Sequence, residues 1–204
     1  MPRKMSVYTV AARRSGYRTG DVVVRAIAIA TEQRMKLEES LGDRTSVAVQ
    51  SETNGLWVTG DSVILGIKSA LAKRHTVSLV NAHVGRQAPE LLQAILHDRA
   101  SAPDGPVVLN MGNNNALTEQ QIVDILDALR NEKKVILVNT AVPRPWRDGN
   151  NQLISRISAR YFNVRVIDWA AISEGHPEYF APDGVHLVPT GVAVYVEEIA
   201  RYLP

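Results

Sequence analysis

The chain has 204 residues, 45% hydrophobic and 22% charged, the make-up of a soluble globular protein long enough for one domain with a substantial core. It holds no cysteine, which excludes disulfides, a thiolate nucleophile and cysteine metal sites. The formal net charge of +2 is too near balance to imply a nucleic-acid partner, and no run approaches the roughly 20 uninterrupted apolar residues of a membrane span.

Residues 1–20 carry Arg3, Lys4, Arg13, Arg14 and Arg18 and no acidic residue, and are read as a basic, flexible, non-catalytic leader. Arg13 and Arg14 lack the apolar core and small-residue cleavage site that follow them in an export signal. Residues 21–54 are read as an N-terminal helix and linker: Asp21 as cap, good helix formers from Val22 to Leu41, a stop at Gly42, then a polar stretch from Thr45 to Asn54.

Residues 55–204 alternate strand-like and helix-like runs. Strands are expected at Leu56–Thr59, Thr76–Asn81, Pro106–Met111, Lys134–Thr140 and Val164–Asp168, and helices at Val63–Lys73, Pro89–Arg99, Glu119–Asn131, Asn151–Phe162 and Thr190–Tyr202. Runs such as Val107-Val108-Leu109 and Val135-Ile136-Leu137-Val138 are continuously apolar, so they suit strands buried on both faces. That pattern predicts a three-layer α/β/α sandwich around a five-stranded, mainly parallel sheet. Right-handed crossovers then gather the strand C-termini on one edge, where ligands of such folds bind.

Chemistry is therefore sought where strands end. Gly60-Asp61-Ser62 stops the first apolar run and opens a helix, which places the Ser62 hydroxyl at a helix N-terminus beside free N–H groups. A serine nucleophile needs such donors for its oxyanion; the competing role for Asp61 or Ser62 is helix capping. A base must also take the serine proton. His186 is the best of five histidines, with Asp183 three residues earlier able to orient it, whereas a bare D-x-x-H also describes an Asx turn beside a surface histidine. His83 is the one rival base.

Four blocks in chain order resemble the SGNH subdivision of the GDSL hydrolases: Gly60-Asp61-Ser62-Val63, Gly85, Gly112-Asn113-Asn114 and Asp183-Gly184-Val185-His186. The resemblance covers about residues 55–203 and implies an SGNH-hydrolase, flavodoxin-like fold. It further implies a catalytic set of Ser62, Asp183 and His186, and an oxyanion hole formed by Ser62 N–H, Gly85 N–H and the Asn114 side chain. Asn115 stands where many members carry Asp.

Adding Ile64-Leu65-Gly66, Val84-Gly85-Arg86-Gln87, Val138-Asn139, Pro143-Arg144-Pro145-Trp146, Asp168-Trp169 and Leu187, the chain looks like the extracytoplasmic domain of peptidoglycan O-acetyltransferases. That narrower resemblance implies an acetylated donor, a muramoyl glycan acceptor, and a membrane acyltransferase module elsewhere in the native protein, with this domain on the outer face of a bacterial membrane. A carbohydrate acetylesterase that uses water as acceptor is the alternative; a catalytically silent glycan-binding module and a nucleic-acid arm are more distant ones. A long-chain lipase lacks its apolar lid here.

Arg86, Gln87 and Trp146 are candidate substrate-binding residues: Arg86 toward an acyl donor or acidic glycan or else its own loop, Trp146 toward a sugar ring or else the domain rim. Trp169 reads as core. His75, His97 and His176 have no metal-ligand spacing, so neither metal nor cofactor is expected.

Overall fold

The computed structural model describes residues 54–203. The basic leader at 1–20 and the helix and linker at 21–54 lie outside them, apart from Asn54. Five strands form one sheet: β1 (Leu56–Gly60), β2 (Val77–Ala82), β3 (Val107–Asn110), β4 (Val135–Val138) and β5 (Val164–Ile167). They lie in the order β2-β1-β3-β4-β5 and every pairing is parallel. The helices are α1 (Ser62–Ala72), α2 (Ala88–Asp98), α3 (Glu119–Ala128), α4 (Arg147–Ser158), α5 (Trp169–Ile172) and α6 (Pro189–Ala200). Among the described residues no helix is long and apolar enough to cross a membrane.

The continuous apolar runs follow from two cores. Trp57, Val107, Leu109, Val135 and Leu137 point to one face, against Leu91, Ile95, Ile122, Ile125, Ile154 and their neighbours on α2, α3 and α4. Val58, Val108, Ile136 and Val138 point to the other, against Ile64, Ile67 and Leu71 of α1 and Tyr195, Val196 and Ile199 of α6. A strand that alternates between two buried faces has no polar side. Each of these aliphatic side chains contributes roughly 1.5–3 kcal/mol by leaving water, which holds the layers together.

The sheet order locates the site. The chain runs from β1 outward to β2, then returns across β1 to β3, so the loops after β1 and β3 diverge at a topological switch point. Gly60 makes the turn there: a Cβ on it would lie 2.7 Å from Ile64 Cγ1 and 2.9 Å from the Asn110 carbonyl oxygen. Only a residue without a side chain lets β1 pass into α1 this close to β3.

The structure departs from the sequence reading at α4, which begins at Arg147 rather than Asn151. Gly149 and Asn150 read as loop before a helix starting at Asn151, yet Asn150 is structural. Asn150 Oδ1 accepts from Leu117 N at 2.8 Å and its Nδ2 donates to Gly112 O and Asn115 O, both at 2.9 Å, so the helix start is bolted to the loop after β3. The short α5 and a 3-10 turn at Pro177–Tyr179 were not expected from the pattern. The former buries Trp169 as core, packed edge-on to Tyr195.

Candidate active site

Three side chains meet at the strand C-terminal edge. Ser62 is the first residue of α1, and His186 Nε2 lies 2.9 Å from its Oγ. His186 Nδ1 lies 2.6 Å from Asp183 Oδ2. Asp183 is held below the usual carboxylate range, at about 2, by the His186 ring hydrogen bond first and then by the backbone N–H groups of Val185 and His186. An ionised carboxylate can only accept, so the imidazole carries its hydrogen on Nδ1 and presents the Nε2 lone pair to the Ser62 hydroxyl. A hydroxyl, imidazole and carboxylate in this order can pass the serine proton to the ring as the oxygen attacks a carbonyl carbon.

The turn that carries the pair is closed by short local bonds. Asp183 Oδ1 accepts from Val185 N at 2.9 Å and His186 N at 3.0 Å. Ala181 N donates to His186 O at 2.7 Å, and Phe180 and Leu187 form an antiparallel bridge just outside. Both arms of the turn thus return to one place, and the imidazole leaves it toward Ser62. The side chains of Asp183 and His186 are 48% and 50% exposed, so the site is open to solvent.

Behind Ser62 stands a polar floor that sequence spacing does not disclose. Asp61 is buried; Oδ1 accepts from Val63 N at 3.0 Å, capping α1, while Oδ2 accepts from Asn113 Nδ2 at 2.9 Å and Asn114 Nδ2 at 3.2 Å. Burial pushes its carboxyl upward, against the opposing pull of the Val63 N–H and the Asn113 amide. Asn113 is also buried, donating to Asn110 Oδ1 at 2.6 Å and accepting from the Thr140 hydroxyl. Asn114 is the partly exposed neighbour, and its Nδ2 also donates to the Arg86 carbonyl at 3.1 Å. The capping role weighed for Asp61 is thus realised, and it leaves the Ser62 hydroxyl free for His186.

Gly85 adopts a left-handed conformation, φ +75°, in the exposed turn after β2. The Ser62 N–H lies in the first helical turn, where no intrahelical acceptor exists. Arg86 turns its guanidinium onto its own loop, donating to Asn81 O at 2.6 Å and Asn81 Oδ1 at 2.7 Å, and Asn81 Nδ2 donates to buried Asp98 at 2.6 Å. Gln87 caps α2 without a side-chain hydrogen bond and is exposed. Trp146 precedes α4, half-buried, with its indole N–H enclosed. His83 is exposed, and the Ser62 hydroxyl pairs with His186. Among the described residues no three His, Asp or Glu side chains converge as metal ligands.

The chain is 38% identical over 138 residues to peptidoglycan O-acetyltransferase OatA of Listeria monocytogenes, a match covering 67% of this chain and 22% of that relative. Its described fold superposes on the C-terminal catalytic domain of peptidoglycan O-acetyltransferase A of Streptococcus pneumoniae with a TM-score of 0.64, at 22% identity over 73% of this chain and 92% of that one. Over this stretch the chain is thus similar in sequence to peptidoglycan O-acetyltransferases and shares the fold of the pneumococcal catalytic domain. The same fold appears in an acetylxylan esterase of Geobacillus stearothermophilus, TM-score 0.58 and 15% identity over 72% of this chain and 92% of that one. No family model matches the chain. It spans about a fifth of the length of the Listeria relative.

Proposed function

We propose that this SGNH domain is the catalytic portion, residues 55–204, of a serine-dependent O-acetyltransferase that places acetyl groups on a muramoyl hydroxyl of peptidoglycan. The observation that carries the reading is the chain of contacts from Ser62 Oγ to His186 Nε2 at 2.9 Å and from His186 Nδ1 to Asp183 at 2.6 Å. The similarity to peptidoglycan O-acetyltransferases supports the acceptor.

In this reading Ser62 Oγ attacks the carbonyl carbon of an acetyl ester while its proton passes to His186 Nε2. The tetrahedral oxyanion is held by the N–H groups of Ser62 and Gly85 and by Asn114 Nδ2, which gives up its hydrogen bond to the Arg86 carbonyl to do so and keeps the one to Asp61. Collapse breaks the bond to the leaving oxygen, which takes the proton from His186 and leaves acetyl-Ser62. The acceptor hydroxyl then gives its proton to His186 and attacks, and the acetyl group departs on the sugar as Ser62 regains its hydrogen. Gln87 and Trp146 are the substrate contacts of this reading, while Arg86, with its guanidinium bonded to Asn81, holds the loop that carries Gly85. The donor is an acetyl ester delivered by a membrane acyltransferase module outside this chain, which places the domain on the extracytoplasmic face.

The second reading, an acetylesterase, is favoured by the half-exposed Asp183 and His186 side chains, which give water access to the acyl-enzyme. Product partitioning separates the two: the purified chain receives a small activated acetyl ester with and without muramoyl oligosaccharides, and acetate and acetylated glycan are followed by mass spectrometry. Glycan acetylation that vanishes in Ser62→Ala is the expected result. Acetate release indifferent to acceptor establishes the esterase, and full activity in Ser62→Ala overturns the site.

A further inference from the structure

An open groove of about 980 Å³ lies at the strand C-terminal edge beyond β4 and β5, between α4 and the α5 segment. Nothing in the acyl-transfer chemistry uses it. Its inner wall is formed by Asn139, Ala141 and Phe180. The same three residues wall a small crevice that Val63 and Val185 border from the other side, next in sequence to Ser62 and His186. The groove is therefore separated from the back of the catalytic turn by these shared side chains alone. Its β5 side is displaced from β1 by three strand spacings, about 14 Å.

The chemistry of its lining selects a ligand class. Gln152 and Ser155 project from α4, exposed, and neither side chain hydrogen-bonds to the protein among the described residues. Arg147 and Asp148, paired at 2.7 Å, put a guanidinium and a carboxylate side by side on the rim. Phe180 supplies an apolar surface. Cationic and anionic groups are mixed along the groove, which disfavours a polyanion or polycation and suits an uncharged ligand rich in hydroxyls. Planar guanidinium, carboxylate and amide groups each hold neighbouring hydroxyls with paired hydrogen bonds, while an aliphatic or aromatic surface takes the face of a sugar ring.

We propose that this groove is a distal glycan subsite: it binds uncharged sugar units of the acceptor strand, some units away from the one presented to Ser62. The inference rests on the reading of the site as glycan-directed. A polymer held at both places reaches Ser62 as a tethered reactant, so the groove raises the affinity for long acceptors and leaves the chemistry of small esters untouched.

The test uses two probes on the 204-residue chain. Binding of an O-deacetylated, fully N-acetylated peptidoglycan disaccharide and hexasaccharide is measured by calorimetric titration on Ser62→Ala, with and without Gln152→Ala and Ser155→Trp, which remove one hydrogen-bonding group and fill the groove from exposed helix positions. Hydrolysis of a small acetyl ester is measured in parallel with Ser62 intact. The expected result is hexasaccharide affinity weakened about tenfold or more by the groove substitutions, disaccharide affinity unchanged, and small-ester turnover unchanged. Equal hexasaccharide affinity in parent and variant, or no hexasaccharide binding by the parent, overturns the groove. Absence of Ser62-dependent ester hydrolysis strikes instead at the acyl-transfer reading, because binding is measured without catalysis.

Discussion

Asp61 Oδ2 accepts a hydrogen bond from Asn114 Nδ2 at 3.2 Å, while Oδ1 of the same carboxylate caps α1 at Val63 N. One buried group therefore fixes both the helix that begins with Ser62 and the amide proposed for the oxyanion. In Asp61→Asn one amide oxygen can keep the cap, but an NH₂ group then faces the NH₂ groups of Asn113 and Asn114, donor against donor. We expect kcat to fall about tenfold with KM little changed, and stability to fall by about 1–3 kcal/mol. Steady-state ester hydrolysis and denaturant unfolding measure the two. A destabilised variant with the parent kcat would reduce Asp61 to a cap.

Asn114→Ala removes the amide while leaving the buried Asn113 network in place. Losing one oxyanion donor lowers kcat on the order of a hundredfold. The side chain is partly exposed, so the melting curve should remain close to that of the parent. An unchanged kcat would exclude Asn114 from the oxyanion hole.

Asp183 offers a pH test. Its carboxyl is held at about 2, chiefly by the His186 ring, below the value near 3.9 of an unfolded aspartate. Folding thus favours the ionised form: the contribution to stability is complete above about pH 4 and is lost as pH falls through about 2. Because the side chain is half-exposed, solvent screening keeps that contribution small and the consequence is mainly catalytic. Asp183→Asn should lower kcat on the order of a thousandfold or more by freeing the ring tautomer. Asp183 itself should contribute no limb near pH 4 to the parent profile of kcat against pH; a limb there that vanishes in Asp183→Asn would contradict the assignment.

What the sequence discloses and what it hides divide along a physical line. The strands are legible because burial on both faces forces continuous apolar runs, as in Val135–Val138. Ser62, Asp183 and His186 are legible because strand ends on one edge bring loops together whatever their separation in the chain. Asp98, Asn81 and Arg86 form a chain of side-chain contacts that no short spacing encodes, and Asn113 differs from its neighbours only in its burial. The α4 start is hidden for a related reason: Asn150 looks like a loop former in sequence, and its helical place is secured by bonds to residues more than thirty positions away.

Gly184 sits in the turn between Asp183 and His186 with φ +68°, and a Cβ there would come within 2.9 Å of Pro143 Cγ. Two separate constraints therefore demand glycine: a left-handed backbone and contact with the loop after β4. Gly184→Ala should cost about 1–3 kcal/mol of stability, and relief of the contact by moving the turn would carry His186 away from Ser62, so kcat should fall more steeply than stability. The double variant with Pro143→Ala tells the causes apart. If the contact dominates, shrinking Pro143 restores much of the lost kcat, giving a coupling between the sites; if the backbone conformation dominates, the two effects add. A fully active Gly184→Ala would mean that the turn tolerates displacement and that the 2.9 Å approach of His186 to Ser62 is not what limits turnover.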